Sequence, residues 1–329
     1  MIVSLILESK ALMRVTTRAL AGVAVAVALV GCSGDEDPRA AEGGRPTVVV
    51  TTNILGEIVE QLVGDEFEVV TIMPVGSDPH DFQASAQQVA QIGSADVVIV
   101  NGAGFEEGLL DVIDAAERDG VLVFEAISAI ETIEFGASEH AEHDDDDEHD
   151  GDEHDGDDPH FFTDPARMAL AAEAIVEFLI ANVDGAVLED APAYVAELEA
   201  LDTEVEGILT DISAERRVML TNHEVFGYFA DRYGFEVIGT VIPSGTTVDG
   251  ASAQELVELA EVIEHERVPA IFADTSSSDE LAATLAAEVG GIEVVELFSE
   301  SLGAVGSGGD TYLAMVRTNA ERIAQALEG

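Results

Sequence analysis

Hydrophobic and polar positions along this chain alternate in short blocks whose period switches between two and about 3.6 residues. Thr47 to Thr52 is a β-branched run, and Ile54 to Val63 carries apolar residues at helical spacing. The pair predicts a strand feeding a helix. Glu68 to Met73 reads as a second strand, Gln87 to Ile92 as helix and Ala95 to Asn101 as a short apolar strand. Phe105 to Asp119 follows as helix and Val121 to Glu125 as strand. Strands that are apolar on both faces, alternating with helices, imply a parallel sheet covered by helices.

The alternation stops between Ile133 and Asp158, where apolar periodicity gives way to dense charge. This stretch is expected to be disordered. Structure is predicted to resume at Pro165, with Asp164 as N-cap, in a helix reaching about Asn182. A second helix, from about Ala191 to Ile212, is long enough, at about 30 Å, to run the length of a domain.

A second alternating series follows. Its strands are Arg217 to Thr221, Glu236 to Ile242, Ala270 to Ala273 and Glu293 to Leu297. Its helices are Val225 to Tyr233, Ala253 to Glu266, Asp279 to Val289 and Thr311 to Leu327. The fold class is therefore α/β, with two similar lobes on parallel-rich sheets, joined by one long, rigid helix. The expected boundaries are 46–185 for the N-terminal lobe (with a disordered loop at 136–158), 186–214 for the linking helix and 215–329 for the C-terminal lobe. A helix resists bending, so small lobe movements are expected rather than wide hinge closure. Gly227, Gly245 and Gly250 are expected to lend local mobility.

Composition adds a direction. Acidic residues number 67 against 13 basic, for a net charge of -54. Such a surface repels nucleic acid and anionic membranes and attracts cations. The single cysteine, Cys32, excludes an intrachain disulfide and a cysteine metal cluster. Arg14 and Arg18 precede an apolar run from Ala19 to Val30, the size of a signal-peptide core and short of the ~20 residues that span a bilayer. Leu29-Val30-Gly31-Cys32 resembles the bacterial lipobox, so residues 1–32 are expected to be a lipoprotein leader, with lipidation at Cys32. Met13 is an alternative start to Met1. Residues 33–45 read as a flexible tether.

The chain has eight histidines, and seven of them are disposed as a metal site requires. His80 stands in Gly76-Ser77-Asp78-Pro79-His80-Asp81-Phe82. His160 stands in Asp158-Pro159-His160-Phe161-Phe162, and His223 in Thr221-Asn222-His223-Glu224. Neutral imidazole is the commonest ligand for zinc-like ions. Ligands of open α/β sheets lie beyond the carboxyl ends of the strands. His80 and His223 follow predicted strands in different lobes, which places a site in the cleft. Phe82, Phe161, Phe162, Phe226 and Phe229 are candidates for a dry surround. Asp78, Asp81, Asp158, Asn222 and Glu224 are candidates to orient the imidazoles. His265 reads as a surface residue.

These three phrases, in this order, resemble the zinc and manganese receptors of bacterial ABC transporters, the cluster A-I (cluster 9) solute-binding proteins. The resemblance covers about residues 46 to 329, with Phe162 where that family usually has Trp. It implies two α/β lobes, a rigid linking helix and a metal ion held by His80, His160, His223 and Glu300. Asp274 and Asp310 are rivals of Glu300, although Asp310 suits a capping role on the final helix. Three imidazoles and one carboxylate lean to zinc, with manganese or iron as alternatives. The implied partners are a permease and an ATPase subunit. The protein is then extracytoplasmic, anchored by lipid to the bacterial cell membrane, and expected to act as a monomer.

Glu139 to Asp157 adds His140, His143, His149 and His154 within a run of Asp and Glu. Their irregular spacing suits a loose collector of metal rather than one fixed site, and similar loops occur in zinc receptors of that family. An enzyme is not expected: the chain has neither a His-Glu-x-x-His nor a Gly-x-Ser-x-Gly motif. A surface adhesin or metal buffer without a permease is the remaining alternative. Ligand histidines must be neutral, so affinity is expected to fall below about pH 6.

Overall fold

A computed structural model describes residues 44–135, 156–242, 247 and 251–328. The first lobe contains β1 (Thr47–Val50), α1 (Asn53–Val63), β2 (Glu68–Thr71), α2 (Ala86–Ser94), β3 (Val97–Val100), α3 (Leu110–Arg118) and β4 (Leu122–Glu125). The four strands are parallel, in the order β2-β1-β3-β4. Two antiparallel-connected helices follow, α4 (Pro165–Asn182) and α5 (Ala191–Ile208). The second lobe contains β5 (Val218–Thr221), α6 (Gly227–Tyr233), β6 (Glu236–Thr240), α7 (Ala253–Glu266), β7 (Ala270–Asp274), α8 (Glu280–Glu288), β8 (Glu293–Leu297) and α9 (Tyr312–Leu327). Its parallel sheet has the order β6-β5-β7-β8. The two lobes thus repeat one topology, with the first strand of each flanked by its second and third. In such sheets the chain leaves in opposite directions at that point, opening a crevice at the strands' carboxyl ends.

The central strands of the first lobe, β1 and β3, form where the sequence supplies an uninterrupted run of β-branched residues. Val97, Val98, Ile99 and Val100 are all buried, as a central strand covered on both faces requires. Two apolar clusters lie on the outer faces of the sheets, around Val49, Val98 and Ile113 in one lobe and Leu220, Ile271 and Leu285 in the other. The largest cluster is shared: it runs from β1 and α1 through α4 and α5 to β5 and α9. Each fully buried Leu or Ile in it contributes about 1.5–3 kcal/mol. This shared core packs elements of both lobes together.

Helix ends follow local chemistry. The Asp164 carboxylate accepts from Ala166 N (2.8 Å) and Arg167 N (3.3 Å) beside Pro165, a cap worth about 1 kcal/mol. Helix α5 ends at Ile208, four residues before the expected Ile212, and passes into a 3-10 turn over Leu209–Asp211. There the Arg217 guanidinium donates to Leu209 O (3.0 Å) and Ile212 O (3.2 Å), satisfying carbonyls that the helix leaves free. Helix α9 is capped by Thr311, whose hydroxyl accepts from Ala314 N at 3.2 Å. Asp310, expected in that role, accepts from Gly306 N (3.1 Å) and closes the preceding loop instead.

The two ends of the acidic stretch are paired. Glu134 and Asp157 form an antiparallel bridge, and Asp158 N donates to Ile133 O at 2.8 Å. His140, His143, His149 and His154 lie outside the described residues, as does Cys32 with the leader. Among the described residues, no helix is long and apolar enough to cross a membrane.

Candidate metal centre

Three loops at strand ends and the turn leading into α4 meet in the crevice between the lobes. His80 comes from the loop after β2. Asp78, two residues earlier, accepts from His80 N at 3.0 Å and folds the Asp-Pro-His turn. His160 comes from a second Asp-Pro-His turn, leading into α4, where Asp158 Oδ1 accepts from His160 N at 2.9 Å. His223 follows β5, and the Thr221 hydroxyl donates to its carbonyl at 2.8 Å. Glu300 follows β8, where Asn319 of α9 holds Phe298 by both backbone groups, at 2.9 and 2.6 Å.

The four expected ligand side chains converge. The Nε2 atoms of His80, His160 and His223 lie 2.8, 3.2 and 3.0 Å from a single atom, Glu300 Oε1. One candidate ligand atom from each residue falls within 4.8 Å of all the others, and all four residues are buried. The three ring centroids form a near-equilateral triangle of 5.8, 5.8 and 6.1 Å. Glu300 Oε2 and His223 Nδ1 are buried without a hydrogen-bond partner. A buried orphan costs about 1–3 kcal/mol, so the free Glu300 oxygen beside three imidazole Nε2 atoms fits a cation held among them.

Protonation follows from the partners. Both ring nitrogens of His160 face carboxylates: Nδ1 to Asp158 Oδ1 at 2.7 Å and Nε2 to Glu300. His80 is placed likewise, with Nδ1 3.2 Å from Glu107 Oε1. A carboxylate can only accept, so each of these contacts is a hydrogen bond when the ring nitrogen carries the proton. Burial pulls the His160 pKa down, but the Asp158 and Glu300 carboxylates outweigh it and raise it to about 9. Burial likewise opposes the rise at His80, where the hydrogen bond and charge of Glu300 prevail. Burial favours a neutral Glu300, yet the surrounding imidazoles hold its carboxyl well below the usual range. A divalent ion replacing one Nε2 proton on each of these two rings leaves the net charge unchanged. Asp158 and Glu107 keep the Nδ1 protons, fixing the tautomer that offers Nε2 to a metal.

The neighbourhood differs from expectation in its aromatics. Phe105 meets His80 and His160 edge-on, with centroids at 5.2 and 5.4 Å, and Phe162 meets His160 at 5.9 Å. Phe82 packs on the outer face of the first sheet, while Phe226 and Phe229 pack against each other at 5.9 Å. Asp81 is exposed, and Asn222 donates to Ser277 at 3.0 Å. Asp274 is buried beside the site, but its carboxylate is turned to Ser276 N (3.0 Å) and Oγ (2.5 Å). Burial and repulsion from Glu300 raise the Asp274 pKa. His265 is exposed on α7. Gly227, expected to add mobility, permits a close approach: a Cβ there would lie 2.5 Å from Asp158 Oδ2.

Sequence reading missed the loop after β3, which supplies Phe105 and Glu107. Three successive residues, Gly102, Ala103 and Gly104, have φ of 92°, 50° and 75° and turn the chain around the buried Glu106 carboxylate. That carboxylate accepts from Thr51 Oγ1 (2.5 Å) and Asn101 N (2.6 Å), although burial raises its pKa. The position of this loop at a strand's carboxyl end was the available signal.

Comparison with known proteins agrees with this geometry. The model of the family described as zinc-uptake complex component A, periplasmic, matches residues 48–326. The chain is 31% identical over 300 residues to the zinc-binding protein TroA of Treponema pallidum, covering 88% of this chain and 91% of that one. It is 26% identical over 307 residues to the manganese-binding lipoprotein MntA of Halalkalibacterium halodurans, covering 92% and 95%. The solved structure of the periplasmic zinc-binding protein TroA from Treponema pallidum superposes with a TM-score of 0.74 at 29% identity, covering 86% of this chain and 99% of that chain. The family match spans both sheets and all four converging side chains, and this chain belongs to the periplasmic zinc-uptake component A family of metal-transporter solute-binding proteins.

Proposed function

We propose that this protein captures zinc outside the cytoplasmic membrane with His80, His160, His223 and Glu300 and hands it to an ABC permease for uptake. The observation that carries this reading is the convergence of three buried imidazole Nε2 atoms on one buried carboxylate oxygen. Four protein ligands close a coordination sphere, as cargo held for transfer requires, whereas a catalytic zinc keeps a position open. Imidazole-rich sets suit zinc. Relatives named for manganese as well as zinc make the choice of ion the point to test. Lipid attachment at Cys32 would keep the receptor beside its permease and ATPase, and the tract holding His140, His143, His149 and His154 would gather ions near the crevice.

Metal content and competition between zinc and manganese, on the wild type, His223→Ala and a variant lacking residues 139–157, test the proposal. One tightly held zinc per chain, lost in His223→Ala and kept without the tract, is expected. Preference for manganese would replace the cargo and leave the transport role. No tight metal in the wild type would overturn the site.

A further inference from the structure

Glu300 is held from the opposite lobe. Asn53, the first residue of α1, sends its side chain across the crevice to the loop after β8. Its Oδ1 accepts from Leu302 N at 2.7 Å, and its Nδ2 donates to Ser301 Oγ at 3.0 Å and to Pro74 O at 3.2 Å. Leu302 N can only donate and Pro74 O can only accept, so the orientation of this amide is fixed by its partners. Ser301 Oγ also accepts from Gly76 N at 2.7 Å. One amide and one hydroxyl therefore tie together α1, the loop that leads to His80 and the loop that carries Glu300. The residues joined across the crevice are 225 to 249 positions apart in sequence. Asn53 is 6% exposed and Ser301 1%.

We infer that Asn53 and Ser301 form an interlobe clasp, a pair of positioning residues that hold Glu300 against the three histidines and so govern how long the metal is retained. The inference rests on the metal-capture reading and adds its release step. Ser301 is bonded directly to Glu300 in the chain, so the clasp cannot shift without moving the carboxylate. Separating the loops strips three hydrogen bonds, two of them between buried residues, unless water enters at once. Clasped-and-dry and open-and-wet are thus two discrete arrangements rather than a continuum. The same face of α1 makes a second tie one turn later: Glu57 Oε2 accepts from Tyr312 N at the start of α9 (3.2 Å) and from the Tyr194 hydroxyl of α5 (3.2 Å).

The test is zinc release from the full-length protein to an excess of chelator, followed by stopped flow, for the wild type, Asn53→Ala, Ser301→Ala and the double variant. Release at least about tenfold faster in each single variant, the size of effect typical of groups that orient ligands, is expected with one zinc per chain still bound. The effects of the two changes should combine to less than their product in the double variant, because both remove the Asn53–Ser301 contact. The amides of Gly76 and Leu302 should lose their protection from hydrogen exchange in Ser301→Ala and Asn53→Ala respectively, a change that general destabilisation would not confine to those positions. Release rates within twofold of wild type in both singles would overturn the clasp while leaving metal capture intact. A wild type that holds no zinc would overturn the metal reading, and the clasp with it. Should Asn53→Ala fail to fold, Ser301→Ala, a loss of one hydroxyl, decides the question alone.

Discussion

The chain contains the tripeptide Asp-Pro-His twice, at Asp78-Pro79-His80 and Asp158-Pro159-His160, and the two are wired differently. In both, the aspartate accepts from the histidine backbone N–H, at 3.0 and 2.9 Å, and sets the turn. Asp158 is buried and the same oxygen also takes the imidazole Nδ1 at 2.7 Å. Asp78 is half-buried, its other oxygen takes the Thr247 hydroxyl, and the His80 ring is left to Glu107, whose side chain is 44% exposed. One turn therefore holds its imidazole through a short, dry contact and the other through a long, wet one. The second lobe takes this further: His223 Nδ1 has no partner, and Glu300 depends on its loop contacts. The comparison assigns the firm half of the site to His160 and its adjustable half to the residues that meet it.

The largest expected effect is of pH, and it separates the two turns. Because the Asp158 and Glu300 carboxylates raise the His160 pKa to about 9, zinc must displace a proton from that ring at neutral pH. Affinity should climb by up to about tenfold per pH unit for each proton displaced, and continue to climb well above the pH 6 suggested by free histidine. Calorimetry in buffers of different ionisation enthalpy should count at least about one proton released per zinc at pH 7. The comparison fails if binding shows no buffer dependence, or if ring titration by NMR finds His80 holding its proton to higher pH than His160.

Next in size, Asp158→Asn should weaken zinc binding by about 10–100-fold, because a neutral amide no longer raises the basicity of His160 or fixes its tautomer. Competition against a chelator measures it. Glu107→Gln should cost less than about fivefold, since a partly exposed partner at 3.2 Å shares its role with water. Equal losses in the two variants would erase the distinction between the turns.

The smallest effect concerns the contact between lobes. Burial raises the Glu57 pKa. A carboxyl with a raised folded-state pKa contributes stability that is present below its ordinary value of 4.5 and lost as pH rises through the shifted one. Glutamine still accepts from Tyr194 and Tyr312 without the charge. Glu57→Gln should therefore melt about 1–4 °C higher than wild type near pH 8, with the gain disappearing below pH 4.5. A variant that melts lower at pH 8 would show that the ionised carboxylate is favourable there.

Local signals were the legible ones. The order of strands and helices could be read because each apolar block is short and its period shows within a few residues. The α4 start was legible because Asp164 and Pro165 act on their own neighbours. The three histidine phrases stood out because each sits at a turn with little other reason for an imidazole. Asp310 against Thr311 was missed by one position, since both can cap a helix and only the backbone at Thr311 (φ -133°, ψ 160°) decides between them.

The sequence by itself determined the α/β alternation, the two-lobe repeat and the imidazole and carboxylate types available for metal. These depend on composition and on spacings within one element, where neighbours along the chain are neighbours in space. Tertiary structure alone decided the β2-β1-β3-β4 order, the choice of Phe105 over Phe82 at the site, Glu107 as the partner of His80 and Asn53 as the partner of Ser301. Each of those joins groups 21 to 248 residues apart. Such pairs are selected by how sheets, helices and loops pack around a shared core, a condition that no local pattern records.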